Sequence, residues 1–150
     1  MRLADIMTTR LVCVSMDDRL EVVRDIFEQA PFRHLLVVDE HELMGIISDR
    51  DMMKAVSPYL NTIAELPRDR ETLTKRAHQI MQRNPITASP SMTIPEASRI
   101  LLKYKISCLP VLEAGRLVGI ISWKDLLSAA IGDRDPIPER ESFGGDTEKD

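Results

Sequence analysis

Few of the features that mark a specialised protein class occur in this sequence. The two cysteines, Cys13 and Cys108, sit in apolar segments and lack the close spacing of a metal knuckle or redox pair. They read as small core residues of a reduced compartment. His34, His41 and His78 have no ligand spacing with them, so no zinc site is expected. No stretch approaches the ~20 apolar residues of a membrane span, and MRLADIM at the start has no apolar run of signal-peptide length. A cytoplasmic protein without a membrane partner is expected. There is no long basic run, and a net charge of −4 argues against nucleic acid as a partner. Catalytic signatures are missing as well: there is no P-loop pattern and no nucleophile with a histidine and an orienting acid in a recognisable motif, and Asp17 and Asp18 look like helix caps. The expectation is therefore not an enzyme.

What is present is a repeat. Residues 45–51 read GIISDRD, residues 119–125 read GIISWKD, and the same 74-residue offset aligns residues 4–56 with 78–130 without a gap. The 53 pairs include 13 identities, among them Ile6/Ile80, Met7/Met81, Leu35/Leu109, Gly45/Gly119, Ser48/Ser122 and Asp51/Asp125. At 150 residues and 43% hydrophobic content, the chain can bury about two-thirds of its unfolded surface in one domain.

The same order of elements is legible in both copies. In the first, LVCVS at residues 11–15 suits a short strand, and Asp17 or Asp18 caps a helix whose stripe is Leu20, Val23, Ile26, Phe27 and Ala30, ended by Pro31. LLVV at 35–38 and residues 43–48 make a hairpin across a polar turn, and Asp49 starts a closing helix to Val56. In the second, residues 86–89 repeat the lead strand and Thr93 with Glu96 forms a capping box. Ile94, Ala97, Ile100, Leu101 and Tyr104 make the stripe, strands 109–112 and 117–122 follow, and Trp123 opens the last helix to Ile131. Residues 57–77 form a charged, partly helical linker, and residues 132–150, rich in Pro and Gly with no apolar period, are expected to be a disordered tail. The division is thus 1–56, 57–77, 78–131 and 132–150. The fold class is mixed α/β, more strictly α+β: two tandem β-α-β-β-α motifs packed sheet to sheet with pseudo-twofold symmetry and two related clefts.

The polar part of the repeat carries the chemistry. A serine ending a strand and an aspartate three residues on, in the first helical turn, can face one ligand. The helix start favours an anion such as phosphate, and a carboxylate accepts the two hydrogen bonds that a ribose 2′,3′-diol donates. The plainer reading makes Ser48 and Ser122 N-caps, with the aspartates complementing the helix dipole.

Asp17, Leu20, Val23 and Ile26 of the first helix, together with the twice-occurring G-I-I-S-x-x-D junction, resemble the CBS domain, named after cystathionine β-synthase. The resemblance covers residues 4–131 and implies a CBS-pair, or Bateman, module: a regulatory unit that binds an adenine nucleotide or other adenosyl ligand such as AMP, ADP, ATP or S-adenosylmethionine. The chain departs from the usual pattern at Leu36 and Met16, where the second copy keeps Pro110 and Pro90. By the same resemblance, Ile120, Ser122 and Asp125 work with Val12, Phe32, Arg33 and His34, while Ile46, Ser48 and Asp51 work with Ile86, Ile106, Ser107 and Cys108. Arg50 and Lys124, each just before its aspartate, are placed to neutralise phosphates; the plainer reading is a solvated charge or one paired with a neighbouring carboxylate. A homodimer and an unidentified regulated protein are the expected partners. The alternative is a ligand-free dimerisation or interaction scaffold.

Overall fold

The computed structural model describes residues 1–29 and 33–132. Phe32 and the tail beyond Gly132 lie outside the described residues. The first motif runs α1 (Leu3–Ile6), β1 (Cys13–Ser15), α2 (Leu20–Gln29), β2 (His34–Asp39), β3 (Glu42–Ser48) and α3 (Asp49–Ala55). The linker carries α4 (Pro67–Glu71) and a 3-10 turn at Thr72–Thr74, and the second motif follows as α5 (Ala77–Ile80), β4 (Gln82–Arg83), α6 (Ile94–Tyr104), β5 (Cys108–Glu113), β6 (Arg116–Ser122) and α7 (Trp123–Ile131). The fold is mixed α+β, with two tandem sheet-plus-helix motifs.

The two hairpins repeat each other in detail. His34 pairs with Ser48 and Cys108 with Ser122, and each hairpin is bulged at the same place, after Val37 and after Val111. Leu35, Val37 and Ile47 in one motif, and Leu109, Val111 and Ile121 in the other, are fully buried under their own helices, each worth about 1.5–3 kcal/mol relative to exposure. The other face of each sheet meets its counterpart through Leu36, Ile46 and Cys108, with Leu11, Leu43, Leu117 and Ile120 around them. Sheet-to-sheet packing thus turns the repeat into one body.

The lead strands differ, and the reason is chemical. β1 makes three parallel pairs with β2, whereas the strand expected at 86–89 is reduced to a single bridge, Ala88 to Val111. Flanking pairs in such a ladder draw on the amides of residues 36 and 16 in the first motif. Their counterparts, Pro110 and Pro90, have no N–H to give. The Leu36 and Met16 departures therefore lengthen β1.

Each motif's opening segment is exchanged onto the other motif. Thr8 bridges Ile120 of β6, and its repeat partner Gln82 pairs with Ile46 of β3. The first two amides of α1 donate to Met92 O and Pro90 O at 2.9 and 3.0 Å, while those of α5 donate to Asp18 O and Met16 O at 2.8 and 3.1 Å. Leu3 consequently sits in the second core, and Ala77 and Met81 in the first. The exchange also explains two strand glycines. A Cβ at Gly45 would lie 2.8 Å from Gln82 O, and one at Gly119 3.1 Å from Thr8 O, with Met81 and Met7 sulfurs closer still.

Two local expectations are corrected. Neither Asp17 nor Asp18 caps α2: Asp18 Oδ2 accepts from Ser15 N at 2.8 Å, and the first α2 amide, Leu20 N, donates to Lys75 O of the linker at 2.8 Å. Cys13 is exposed rather than core, because it lies on the outward face of β1, on which Val14 points inward. The linker is pinned by a residue that pattern reading passes over. Buried Asp69 accepts from Leu66 N and Ser57 Oγ, both at 2.7 Å, and these bonds hold its carboxyl below the ordinary carboxylate range.

Candidate functional site

Both strand-to-helix junctions form reciprocal capping boxes. Ser48 Oγ accepts from Asp51 N at 3.0 Å while Asp51 Oδ2 accepts from Ser48 N at 2.9 Å. In the second motif Ser122 Oγ accepts from Asp125 N at 3.3 Å, and Asp125 Oδ2 accepts from both Ser122 N and the Ser122 hydroxyl at 2.9 Å. Each box uses only one carboxylate oxygen. Asp125 Oδ1 has no partner among the described residues, and Asp51 Oδ1 receives one long bond, 3.4 Å, from Gln82 Nε2. Capping therefore fixes the carboxylate's position and leaves its second oxygen outward, so the capping reading and the ligand reading are compatible.

The two clefts expected from the repeat are a single cleft of about 1020 Å³. Ile120, Ser122, Asp125, Val12, Arg33, His34, Ile46, Ser48, Asp51, Ile86, Ile106, Ser107, Cys108, Arg50 and Lys124 all line it; Phe32, predicted with them, lies outside the described residues. Within the cleft the lead-ins to the two hairpins meet: His34 Nε2 and Ser107 Oγ are 3.2 Å apart. Burial lowers the His34 pKa below its usual 6.5, against the pull of Asp49 and Asp51 and with help from Arg33. At neutral pH His34 is therefore an uncharged hydrogen-bonding group, and the cation of that corner is Arg33. On the other wall, burial pushes the Cys108 thiol up to about 12, which makes it a small apolar surface rather than a nucleophile.

The walls also hold residues that sequence reasoning missed. Arg10, Lys54, Arg83 and Lys105 join Arg33, Arg50 and Lys124, giving seven cationic side chains against three carboxylates, Asp49, Asp51 and Asp125. Among the described residues the cleft thus has a surplus of four positive charges, in a chain of net charge −4. Neither ion pair found among the described residues, Arg24 with Glu28 and Arg70 with Glu65, involves a cleft cation. No run of basic residues signalled this, since the four come singly from separate segments, and Thr8, Gln82 and Arg83 reach the cleft only through the exchanged lead-ins. Trp123, the chain's single tryptophan, also lines the cleft and is half-exposed, with Lys124 Nζ 5.8 Å from its ring centroid.

The helix starts are not equally open. At α3 the first amide, Asp49 N, donates to Arg33 O, Arg50 N donates to Asp49 Oδ1 at 2.8 Å and Asp51 N donates to Ser48 Oγ. At α7 Trp123 N donates to Ser107 O and Asp125 N to Ser122 Oγ, but Lys124 N has no acceptor among the described residues.

Fold and site together define a module of two pseudo-twofold-related motifs with one ligand-sized cleft between them. The chain belongs to the CBS domain family, whose model matches residues 3–58 and again 77–132. A CBS domain-containing protein of Dictyostelium discoideum is 32% identical over 136 residues, covering 89% of this chain and 93% of that protein. Among solved structures, CBSX2 in complex with AMP, a protein of Arabidopsis thaliana, is similar with a TM-score of 0.73 and 26% identity, covering 87% of this chain and 96% of its own. The CBS domain pair of protein MJ0100 in complex with 5′-methylthioadenosine and S-adenosyl-L-methionine has a TM-score of 0.71 and 27% identity over 88% of this chain and 96% of that one.

Proposed function

We propose that the chain is a regulatory module that senses an adenosine-containing small molecule, AMP, ADP, ATP or S-adenosylmethionine, and passes occupancy of the cleft to a partner protein. The observation that carries this reading is the meeting of both Ser-x-x-Asp junctions on one cleft, each aspartate held by its capping box with an oxygen directed away from it. The outward oxygens suit a ribose diol, and Ile46, Ile86, Ile106 and Ile120 supply apolar surface for a base. The ligands carried by CBSX2 and the MJ0100 pair support the same class. The α7 end is the stronger half: Asp125 Oδ1 is unengaged among the described residues and Trp123 stands where the first motif has Asp49, whose charge opposes an anion at α3.

The module acts by binding, without turnover, in the cytoplasm, and among the described residues no helix is long and apolar enough to cross a membrane. It works as a homodimer through α3 and α7, whose Met53, Leu127 and Ile131 are 77, 53 and 64% exposed. Sedimentation at micromolar concentration should give twice 17.0 kDa; a monomer would remove the dimer. A thermal-shift screen of the four ligands tests the sensor reading, because a ligand that binds only the folded state raises its melting temperature. No shift with any of them would leave the chain as an interaction scaffold, and loss of ligand on incubation, followed by chromatography, would make it an enzyme.

A further inference from the structure

We infer that the cleft selects phosphorylated adenosyl ligands, with nucleoside triphosphate ahead of di- and monophosphate, over neutral and cationic ones. This rests on the adenosine-site reading above and adds the part of the ligand that ribose and base contacts leave undetermined. The ground is charge. Seven cations face one cavity against three carboxylates, and none of the seven is in an ion pair among the described residues. Asp51 and Asp125 keep their charge in the capping boxes, and with them counted the lining cations still exceed the carboxylates by four among the described residues.

Like charges gathered in a concave, partly apolar site repel one another and focus a positive potential on whatever enters. A sulfonium ligand adds to that repulsion, and a methylthio group leaves it untouched. A triphosphate relieves it through charge-assisted hydrogen bonds.

The test is titration of the full chain with ATP, ADP, AMP and 5′-methylthioadenosine at low and at physiological ionic strength. Emission of Trp123 is followed, and calorimetry runs alongside so that a silent fluorophore is not mistaken for absent binding. Affinity should fall in that order by about three- to tenfold per step at low salt, with the steps shrinking as salt screens the charges. Replacing exposed cations, as in Arg10→Gln with Lys54→Gln, should weaken ATP by about tenfold and 5′-methylthioadenosine by less than about twofold. If 5′-methylthioadenosine binds as tightly as ATP and Asp125→Ala weakens both, the adenosine site stands and the phosphate selection is overturned. If S-adenosylmethionine binds and none of the four does, the adenosine site stands and the phosphate selection is overturned; if S-adenosylmethionine fails as well, both readings fall.

Discussion

The α3 and α7 junctions keep the same serine, the same aspartate and the same reciprocal cap, yet they differ at every position the cap leaves free. Asp49 opens α3 and takes the next amide for itself at 2.8 Å; Trp123 opens α7 and leaves the equivalent Lys124 amide without an acceptor among the described residues. Asp51 is touched by Gln82 from the exchanged lead-in, while Asp125 instead draws its own serine hydroxyl into the box. Duplication has held the frame constant because strand pairing and helix capping demand it. Side chains outside that demand were free to diverge: one junction gained the negative charge of Asp49, and the other kept an amide without an acceptor among the described residues.

The comparison can be broken at the exchanged lead-ins, where the largest effects are expected. Leu3 and Ala77 are equivalent and fully buried in opposite cores. Leu3→Ala should cost about 2.7–5 kcal/mol in urea denaturation, and Ala77→Leu about 1–3 kcal/mol by overpacking. A cost below about 1 kcal/mol for Leu3→Ala would mean that α1 does not hold the second core together. The strand glycines come next. Gly45→Ala should cost about 1–3 kcal/mol and more than Gly119→Ala, because at Gly45 the added carbon lies nearer the partner backbone oxygen, 2.8 against 3.1 Å. Equal melting curves for the two would remove that ordering.

A smaller asymmetry is set by pH. His34 has a folded pKa below its usual 6.5, so the stability it contributes is intact above about pH 6.5 and declines as pH falls through the folded value. Its counterpart Cys108, at about 12, titrates nowhere near that range. His34→Asn should therefore flatten the loss of melting temperature between pH 7.5 and 5.5 by about a degree or two, and an unchanged slope would show that His34 is not its source. Smallest of all, deleting residues 133–150 should leave the melting temperature within about a degree or two, since the segment has little apolar surface to bury. A larger drop would show that the tail stabilises the module.

Most of the architecture was readable because it is local and written twice: helix stripes, hairpin strands and the Ser-x-x-Asp turns recur at a fixed offset, so each copy checks the other. The exchange of Thr8 and Gln82 between motifs was not readable, because it rests on one- and two-residue pairings with no period to detect. Its trace was the unexplained glycine in each GIIS strand. The lead strands carried their own explanation in Pro90 and Pro110, visible as departures between the copies but not read as missing donors. Arg10, Lys54, Arg83 and Lys105 escaped notice because charge scattered along a chain becomes a patch only after folding. Asp69 escaped for the opposite reason: a single acid in a charged linker looks solvated until its partners Ser57 and Leu66 are seen.

The central claim is that the aspartate of a capping box holds ribose, more strongly at α7 than at α3, and calorimetric titration of ATP into the native chain, Asp125→Ala and Asp51→Ala tests it most directly. Loss of a charged partner for two hydroxyls should cost about 1.5–3 kcal/mol, roughly ten- to a hundredfold in affinity, at Asp125, and less at Asp51. Equal losses would contradict the ranking of the two junctions, and native affinity in both variants would contradict the ribose role itself.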